Sequence, residues 1–250
     1  MARTAVVSGG GTGIGRAVAA RFADAGDNVI LVGRRADVLA DTAVLFGPTT
    51  SYVAADLATV EGAQRVVDYA VEKAGSVDVI VAAAGGNAGI GPRGDLEGLE
   101  GLALASAVWN ANLQLNVLTA VHLVEGLKPH LAEHARIVLF SSIAAYRGSG
   151  SGSYAAAKSA LHPYAIDLSA QLGDRGVTVN VIAPGYIEDT EFFADTMTPR
   201  RRGRLAEQTH NQRPGTPADI AALTAWLTSP EAGHVTAQII QSNGGAFPGR

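Results

Sequence analysis

The feature that most constrains the fold of this chain is a repeated alternation of short apolar runs with longer amphipathic stretches. AVVSG (5–9), NVILVG (28–33) and VDVIVAAAG (77–85) are typical of strands, while GIGRAVAARFADAG (13–26) and a long region at about 97–128 are typical of helices. The strands are apolar along their whole length, as expected in a parallel sheet that helices cover on both faces. The alternation therefore predicts a doubly wound α/β fold.

The rest of the chain continues this pattern to its end. Further strands are predicted at 51–56, 136–142, 177–185 and 237–245, and further helices at 37–47, 60–74, 154–173 and 219–229. No internal linker or repeat interrupts the 250 residues, so we expect a single domain over 1–250. One irregular insert, at about 186–215, follows a strand end, and we expect a substrate lid there.

Composition excludes several classes of function. The net charge of −4 argues against a nucleic-acid or anionic-membrane partner. The absence of cysteine excludes disulfides, cysteine–zinc sites and thiol nucleophiles. No apolar stretch approaches the ~20 residues of a membrane span, and the first residues lack the apolar core of a signal peptide. We therefore expect a cytoplasmic protein.

A glycine-rich loop, SGGGTGIG at 8–15, joins the first strand to the first helix. Gly9, Gly13 and Gly15 follow a G-x-x-x-G-x-G spacing, which permits a tight turn and brings bare backbone close to a pyrophosphate at the helix N-terminus. The alternative is an ordinary glycine-rich turn. We predict nucleotide binding at this loop, with Thr12 and Ile14 also in contact with the cofactor.

The end of the second strand indicates which nucleotide binds. NAD-binding sites place a carboxylate there to bind the ribose 2′-hydroxyl. This chain instead has Gly33 followed by Arg34 and Arg35. A guanidinium suits a 2′-phosphate, so we predict a preference for NADP(H) over NAD(H), with Arg34 as the first contact. The alternative is that both arginines face solvent.

The run YAAAK places Tyr154 four residues before Lys158. On a helix these two positions share one face. An ammonium beside a phenol favours the phenolate and lowers the phenol pKa. The pair is therefore a candidate general acid/base that works near neutral pH.

Taken in order, the motifs resemble those of the short-chain dehydrogenase/reductase family. The set comprises SGGGTGIG, Asp56 after the third strand, AAAG at 82–85, Asn116, the serines at 141–142, YAAAK, and APG at 183–185. The resemblance covers essentially the whole chain. It implies a Rossmann-type oxidoreductase with a Ser–Tyr–Lys centre assisted by an asparagine.

The resemblance also implies a role for each matching catalytic residue. Tyr154 is expected to protonate a carbonyl oxygen, and Lys158 to bind the nicotinamide ribose and lower the Tyr154 pKa. Ser142 is expected to hydrogen-bond the carbonyl oxygen, and Asn116 to hold a water that relays protons toward Lys158.

Further cofactor contacts follow from the same resemblance. Asp56 is expected at the adenine ring, with the backbone amide of Leu57 beside it. The remaining expected contacts are Ala84, Gly85, Pro184, Gly185, Ile187 and Thr190.

Three departures from the family pattern bear on these expectations. The usual asparagines after the fourth strand are alanines here, which removes an amide that braces the neighbouring backbone. The loop between the serines and Tyr154 is one residue shorter than is usual in the family. Counting back from Tyr154 identifies Ser141 as the catalytic serine, whereas the strand register identifies Ser142. We favour Ser142. Pro163 lies inside the tyrosine helix, and we expect a kink beyond Tyr154 and Lys158.

Other signals carry less weight. HLAEH at 130–134 matches a metalloprotease pattern, but we interpret it as a polar helix end and predict no metal site. PRRRGR at 199–204 is interpreted as a solvated helix face. Tyr186, Phe192 and Phe193 either line a pocket or pack within the lid.

The sequence thus predicts an NADPH-dependent reductase of a ketone or 3-oxoacyl substrate, which on a secondary alcohol works in reverse. The alternatives are a catalytically silent nucleotide-sensing module, or an isomerase or dehydratase on the same scaffold. The resemblance implies a homotetramer or homodimer formed through the mid-chain helices. The sequence identifies neither the particular substrate nor the direction of the reaction in the cell.

Overall fold

The structure is a computed structural model that describes residues 2–90 and 96–249, and over those residues the chain forms one seven-stranded, fully parallel sheet. The strand order is β3-β2-β1-β4-β5-β6-β7. The strands are β1 (Thr4–Ser8), β2 (Asn28–Gly33), β3 (Thr50–Ala54), β4 (Val77–Ala82), β5 (Leu131–Phe140), β6 (Thr178–Pro184) and β7 (Ile239–Ser242).

Helices connect successive strands and cover both faces of the sheet. They are α1 (Gly13–Asp24), α2 (Ala36–Phe46), α3 (Val60–Ala74), α4 (Gly101–Leu113), α5 (Thr119–Leu127), α6 (Ala144–Arg147), α7 (Gly152–Leu172), α8 (Pro199–Glu207) and α9 (Pro217–Leu227). A π-helical turn, Gln114–Leu118, joins α4 to α5. No helix in residues 2–90 and 96–249 is both long and apolar enough to cross a membrane.

Two apolar cores lie on opposite faces of the sheet. One contains Val66, Leu123 and Leu168, from α3, α5 and α7. The other contains Phe22 and Ile220, from α1 and α9. Neighbouring strand residues enter different cores, because successive side chains of a strand point to opposite faces. The fully apolar strands of the sequence are explained by burial on both sides, and the predicted doubly wound fold is confirmed.

The strand order places the candidate site. β1 pairs with both β2 and β4, so the chain winds in opposite directions on the two sides of β1. The loops that follow β1 and β4 therefore diverge, and ligands of open α/β sheets bind in the crevice that this divergence creates.

Several predicted boundaries differ from the structure. The strand expected at 136–142 begins at Leu131, so HLAEH lies on a short 3₁₀ turn and a strand rather than at a helix end. The long helical region at 97–128 is divided by the π-helical turn. The helix α7 begins at Gly152, two residues before the predicted start, and continues through Pro163 as its predicted range requires. The insert at 186–215 is not wholly irregular, because it contains a 3₁₀ segment, Glu191–Thr196, and α8.

Candidate active site

The glycine-rich loop closes tightly against the end of β4. Gly9 and Gly13 have left-handed backbones, with φ of 67° and 51°. A Cβ on Gly15 would lie 2.3 Å from the carbonyl oxygen of Gly9, and one on Gly9 would lie 3.0 Å from the carbonyl oxygen of Ala83. Side chains at Gly9 and Gly15 would collide with neighbouring backbone, so glycine lets the loop close tightly at the first turn of α1. Bare backbone at a helix N-terminus is suited to a pyrophosphate.

The lid contributes the opposite wall of this cradle. The methyl carbon of Thr190 lies 3.4 Å from the position that a Cβ on Gly13 would occupy. Ile187 forms an isolated parallel bridge with Gly215, which fixes the segment after β6. Thr12 and Ile14, also predicted at the cofactor, lie in the same loop as Gly13. The residues present fit an extended dinucleotide between the loop and the lid.

The two arginines after β2 have different surroundings. Arg34 is exposed. Arg35 forms a two-pronged ion pair with Glu191 of the lid, with N–O distances of 2.7 and 3.4 Å, and both side chains are more than half exposed. Arg34 is therefore exposed where a contact with a 2′-phosphate is predicted, while Arg35 already binds a carboxylate.

The remaining residues predicted at the adenine ring lie at the carboxyl end of β3. The Asp56 carboxylate accepts a hydrogen bond from the Ala58 amide at 3.0 Å and remains exposed. The side chain of Leu57 is buried, and its carbonyl oxygen lies 2.9 Å from Nδ1 of His122. Asp56 is thus accessible to a ligand, whereas Leu57 can offer only its backbone.

Tyr154 and Lys158 lie in the first two turns of α7 and are both buried. The Lys158 ammonium donates a hydrogen bond to the carbonyl oxygen of Phe140, the last residue of β5, at 2.9 Å. A Cβ on Gly85 would lie 2.9 Å from both Lys158 Nζ and Asn116 Oδ1. Gly85 therefore lies where the lysine and the asparagine meet, and a side chain there would collide with both.

The two adjacent serines have separate environments. Ser141 is buried, and its hydroxyl donates to the Lys158 carbonyl oxygen at 3.0 Å and lies 2.7 Å from Nε2 of His162. The Ser142 hydroxyl forms a side-chain hydrogen bond with Tyr154 and accepts one from the Ala144 amide at 3.1 Å. Ser142 thus faces the tyrosine, and Ser141 faces the body of α7.

Burial shifts the pKa values of the Tyr–Lys pair in opposite directions. Desolvation raises the Tyr154 pKa to about 12, although the Ser142 hydrogen bond acts to lower it. Desolvation lowers the Lys158 pKa to about 8. The expectation of a lowered phenol pKa is therefore wrong for this structure, because burial is the largest influence on Tyr154 and the group that opposes it is Ser142 rather than Lys158. Tyr154 is a neutral phenol, which is a proton donor, at neutral pH.

Asn116 lies in the π-helical turn and binds the loop that follows β4. Its amide donates to the Gly86 carbonyl oxygen at 2.8 Å and to the Asn112 carbonyl oxygen at 3.0 Å, and its Oδ1 accepts from the Gly86 amide at 3.1 Å. Such π turns occur frequently at functional sites. The turn places the buried Asn116 amide between α4 and the strand loop.

Two residues not singled out from the sequence brace the backbone that follows β4. The Ser8 hydroxyl accepts a hydrogen bond from the Ala84 amide at 3.0 Å. Asn112 Oδ1 accepts from the Ala88 amide at 3.2 Å. The only sequence signal for Asn112 was its position four residues before Asn116, on the same face of the helix.

The lid aromatics pack together and against the candidate acid. The ring of Phe192 lies 5.5 Å from that of Tyr154, and Phe193 lies 4.9 Å from Phe192 and 5.5 Å from Tyr186. The guanidinium of Arg201, in α8, stacks over Phe193 at 5.0 Å. Both interpretations, pocket lining and packing within the lid, therefore apply to some of these residues. Phe192 borders the site, and Phe193 packs within the lid.

The candidate residues come from the carboxyl ends of six neighbouring strands. Pro184 ends β6, and Gly185 follows it with its amide bonded to the Ser242 carbonyl oxygen at 3.0 Å. Parallel strands bring these ends to one edge of the sheet, where the glycine-rich loop, Gly85 and the Tyr–Lys pair also lie. Among residues 2–90 and 96–249 there is no group of three or more His, Cys, Asp or Glu side chains arranged to hold a metal.

Comparisons with known proteins agree with this arrangement. Residues 9–246 match a family model described as enoyl-(acyl carrier protein) reductase. The chain is 33% identical to the short-chain reductase protein NovJ of Streptomyces niveus, covering 96% of this chain and 92% of the relative. It is 29% identical to acetoacetyl-CoA reductase of Allochromatium vinosum, covering 99% of each.

A solved structure gives the same result. The blue fluorescent protein from a metagenomic library, solved in complex with NADPH, superposes with a TM-score of 0.86 at 28% identity and covers 98% of each chain. The chain belongs to the short-chain dehydrogenase/reductase family, whose members are oxidoreductases that bind a nicotinamide cofactor and act on carbonyl or alcohol groups.

The lowered pKa of Lys158 predicts a pH dependence of stability. Between about pH 8 and pH 10.5 the unfolded chain carries a protonated lysine and the folded chain a neutral one, so the free energy of unfolding rises with pH. From pH 7 to 9.5, wild type should gain about 2 kcal/mol relative to Lys158→Met. Urea denaturation across this range measures the difference.

The matched control is Lys73→Met, because Lys73 is exposed near the end of α3. This variant should follow the wild-type pH profile. Parallel profiles for wild type and Lys158→Met would show that the buried amine does not change its charge in this range.

Proposed function

We propose that this protein is an NADPH-dependent reductase of a ketone or 3-oxoacyl substrate. Two observations carry the proposal. Lys158 and Asn116 meet at Gly85, and Tyr154, one turn before Lys158, lies beside Ser142, at the edge of the sheet that also carries the glycine-rich loop. The Allochromatium relative is named as a reductase of a 3-oxoacyl thioester, which supports this substrate class.

The cofactor, when bound, supplies the hydride that reduces the carbonyl carbon. Tyr154 donates its phenolic proton to the carbonyl oxygen, and its raised pKa keeps that proton in place until negative charge develops on the oxygen. Ser142, hydrogen-bonded to Tyr154, donates a second hydrogen bond to the same oxygen. Lys158 and Asn116 meet at Gly85 and provide a route by which a proton returns to Tyr154.

The binding residues divide between the two ends of the cofactor. Gly9, Thr12, Gly13, Ile14 and Gly15 hold the pyrophosphate. The adenosine side is held by Arg34, Arg35, Asp56, Leu57 and Ala84. The nicotinamide side is held by Gly85, Tyr154, Lys158, Pro184, Gly185, Ile187 and Thr190.

The preference for NADPH is supported by the end of β2. No carboxylate follows Gly33, so no side chain at that position is suited to an unphosphorylated ribose. Arg34 is exposed there, and a solved relative was crystallised with NADPH.

Turnover in Tyr154→Phe tests the catalytic proposal. Wild type should oxidise NADPH with at least one member of a panel of ketones, β-keto thioesters and quinones, measured by the absorbance of the reduced nicotinamide. Tyr154→Phe lacks the proton donor and should lose roughly 10²- to 10⁴-fold in kcat while it still binds NADPH. Ser142→Ala should lose more activity than Ser141→Ala, because only Ser142 faces Tyr154.

Two results would contradict this proposal. Tight NADPH binding without turnover of any panel member would favour the nucleotide-sensing module. Equal turnover by wild type and Tyr154→Phe would exclude Tyr154 as the acid of the reductase.

Cofactor preference is tested by titrating NADPH and NADH separately, with nucleotide fluorescence as the signal. Arg34→Ala should weaken NADPH binding roughly 10-fold and leave NADH binding nearly unchanged. Glu191→Gln should tighten NADPH binding roughly two- to fivefold, because it releases Arg35 from its ion pair. The control is Arg21→Ala, an exposed arginine in the last turn of α1. Equal affinities of wild type for both nucleotides would refute the preference.

We also propose a homodimer or homotetramer that buries the outer face of α4. Leu102, Trp109 and Leu113 share one face of this helix and are 85%, 46% and 38% exposed. The helix has no charged residue. A second copy offers the same uncharged apolar face, as a two-fold interface requires.

Light scattering after size-exclusion chromatography measures this association. Wild type should elute as a dimer or tetramer, and Leu102→Glu with Trp109→Glu should shift it toward monomer. Val44→Glu is the control, since Val44 is 84% exposed on α2. A monomeric wild type at micromolar concentration would exclude the interface.

A further inference from the structure

The side chain of Asn112 is completely buried in α4, at 0% exposure, and the whole amide is hydrogen-bonded. Its Nδ2 donates to the Val108 carbonyl oxygen at 3.1 Å and to the Ser153 hydroxyl at 3.0 Å. Its Oδ1 accepts from the Ala88 amide at 3.2 Å. A buried amide is tolerated only when it is satisfied in this way. Asn112 therefore joins three separate segments of the chain.

The two contacts outside α4, with Ser153 and with Ala88, each adjoin a group of the proposed centre. Ser153 directly precedes Tyr154. Ala88 lies two residues after Gly86. The backbone amide and carbonyl groups of Gly86 are both hydrogen-bonded to Asn116. Asn116 also donates to the Asn112 carbonyl oxygen. The two asparagines thus bind the segment 86–88 at two points. Asn112 also connects that segment to the start of α7, beside a longer hydrogen bond of 3.4 Å from the Ser151 hydroxyl to Asn87 Oδ1.

Packing alone does not account for this residue. Leucine has a similar size and would fill the same space in α4. It would leave the buried Ser153 hydroxyl without its donor, since Asn112 is its sole hydrogen-bond partner in the described part of the chain. It would also release the Ala88 amide. What asparagine adds over leucine is a fixed separation between the segment 86–88 and the turn of α7 that carries Tyr154.

We propose that Asn112 is a positioning residue for the reductase described above, on which this inference rests. It sets the distance between the segment 86–88, which borders the carbonyl site, and Tyr154. In a chain with alanines at 83 and 84, a side chain of α4 thus helps to hold the loop after β4 against α7.

The test compares Asn112→Leu with Asn110→Leu, which makes the same substitution at an exposed position of the same helix. Hydrogen–deuterium exchange with mass spectrometry is the first readout, because it needs no substrate. Asn112→Leu should speed exchange in both 86–90 and 152–158, and Asn110→Leu in neither. Faster exchange confined to α4 would overturn the proposal.

Steady-state kinetics on the substrate that wild type reduces is the second readout. Asn112→Leu should lower kcat roughly 10- to 100-fold, since a small misplacement of reacting groups is costly, while the Kd for NADPH changes less than twofold. The double variant Asn112→Leu/Ser153→Ala removes the hydroxyl left without a donor, so its melting temperature should recover while kcat stays low. If kcat recovered together with the melting temperature, Asn112 would contribute only to packing, and the positioning role would be refuted.

The two readouts separate this inference from the proposed function. A wild type without turnover would refute the reductase, and the exchange experiment would still decide whether Asn112 couples the two segments. A working reductase whose Asn112→Leu variant retains kcat would refute only the positioning role.

Discussion

The buried ammonium of Lys158 is the group on which the geometry of the site depends. Removing an amine from water is costly, and this one is compensated by the Phe140 carbonyl oxygen at the end of β5. That hydrogen bond fixes α7 against the edge of the sheet. Tyr154, one turn earlier, is thereby held beside Ser142, which lies two residues after β5 ends. The Ser141 hydroxyl adds a second hydrogen bond across this junction, to the Lys158 carbonyl oxygen, so the tyrosine, the serine and the lysine are placed where α7 meets the end of β5.

The close approach of glycines positions the cofactor cradle relative to this centre. Gly15 lies against Gly9, and Gly9 against Ala83, so the loops after β1 and β4 touch where the winding of the sheet reverses. Ser8 adds a hydrogen bond to Ala84 across the same junction. Gly85 then leaves room for Lys158 and Asn116 to meet. The glycine cradle and the Tyr–Lys pair are therefore built on neighbouring loops, as the proposed reductase requires.

The fold could be predicted because the sequence patterns that indicate it are local. Much of the site could not be predicted in this way. Apolar runs and helical periodicity identified the strands, and the YAAAK spacing identified the Tyr–Lys face. The start of β5 was missed because its first residues, including Glu133 and His134, are polar and exposed. The Tyr154 pKa was predicted in the wrong direction because burial depends on the whole fold. Asn112 and Ser153 lie 41 residues apart, and no sequence pattern indicates their pairing.

The alanines of the AAAG segment show how a lost contact changes the source of rigidity. With no amide side chain in that segment, the backbone after β4 is held by Ser8 from one side and by Asn112 and Asn116 from the other. Two of these three residues belong to α4 and the turn that follows it. The same helix presents the uncharged apolar face that contains Leu102 and Trp109. A second copy packed on that face would restrain α4 and, through Asn112, the segment beside Tyr154, so the proposed assembly would couple to the geometry of the site.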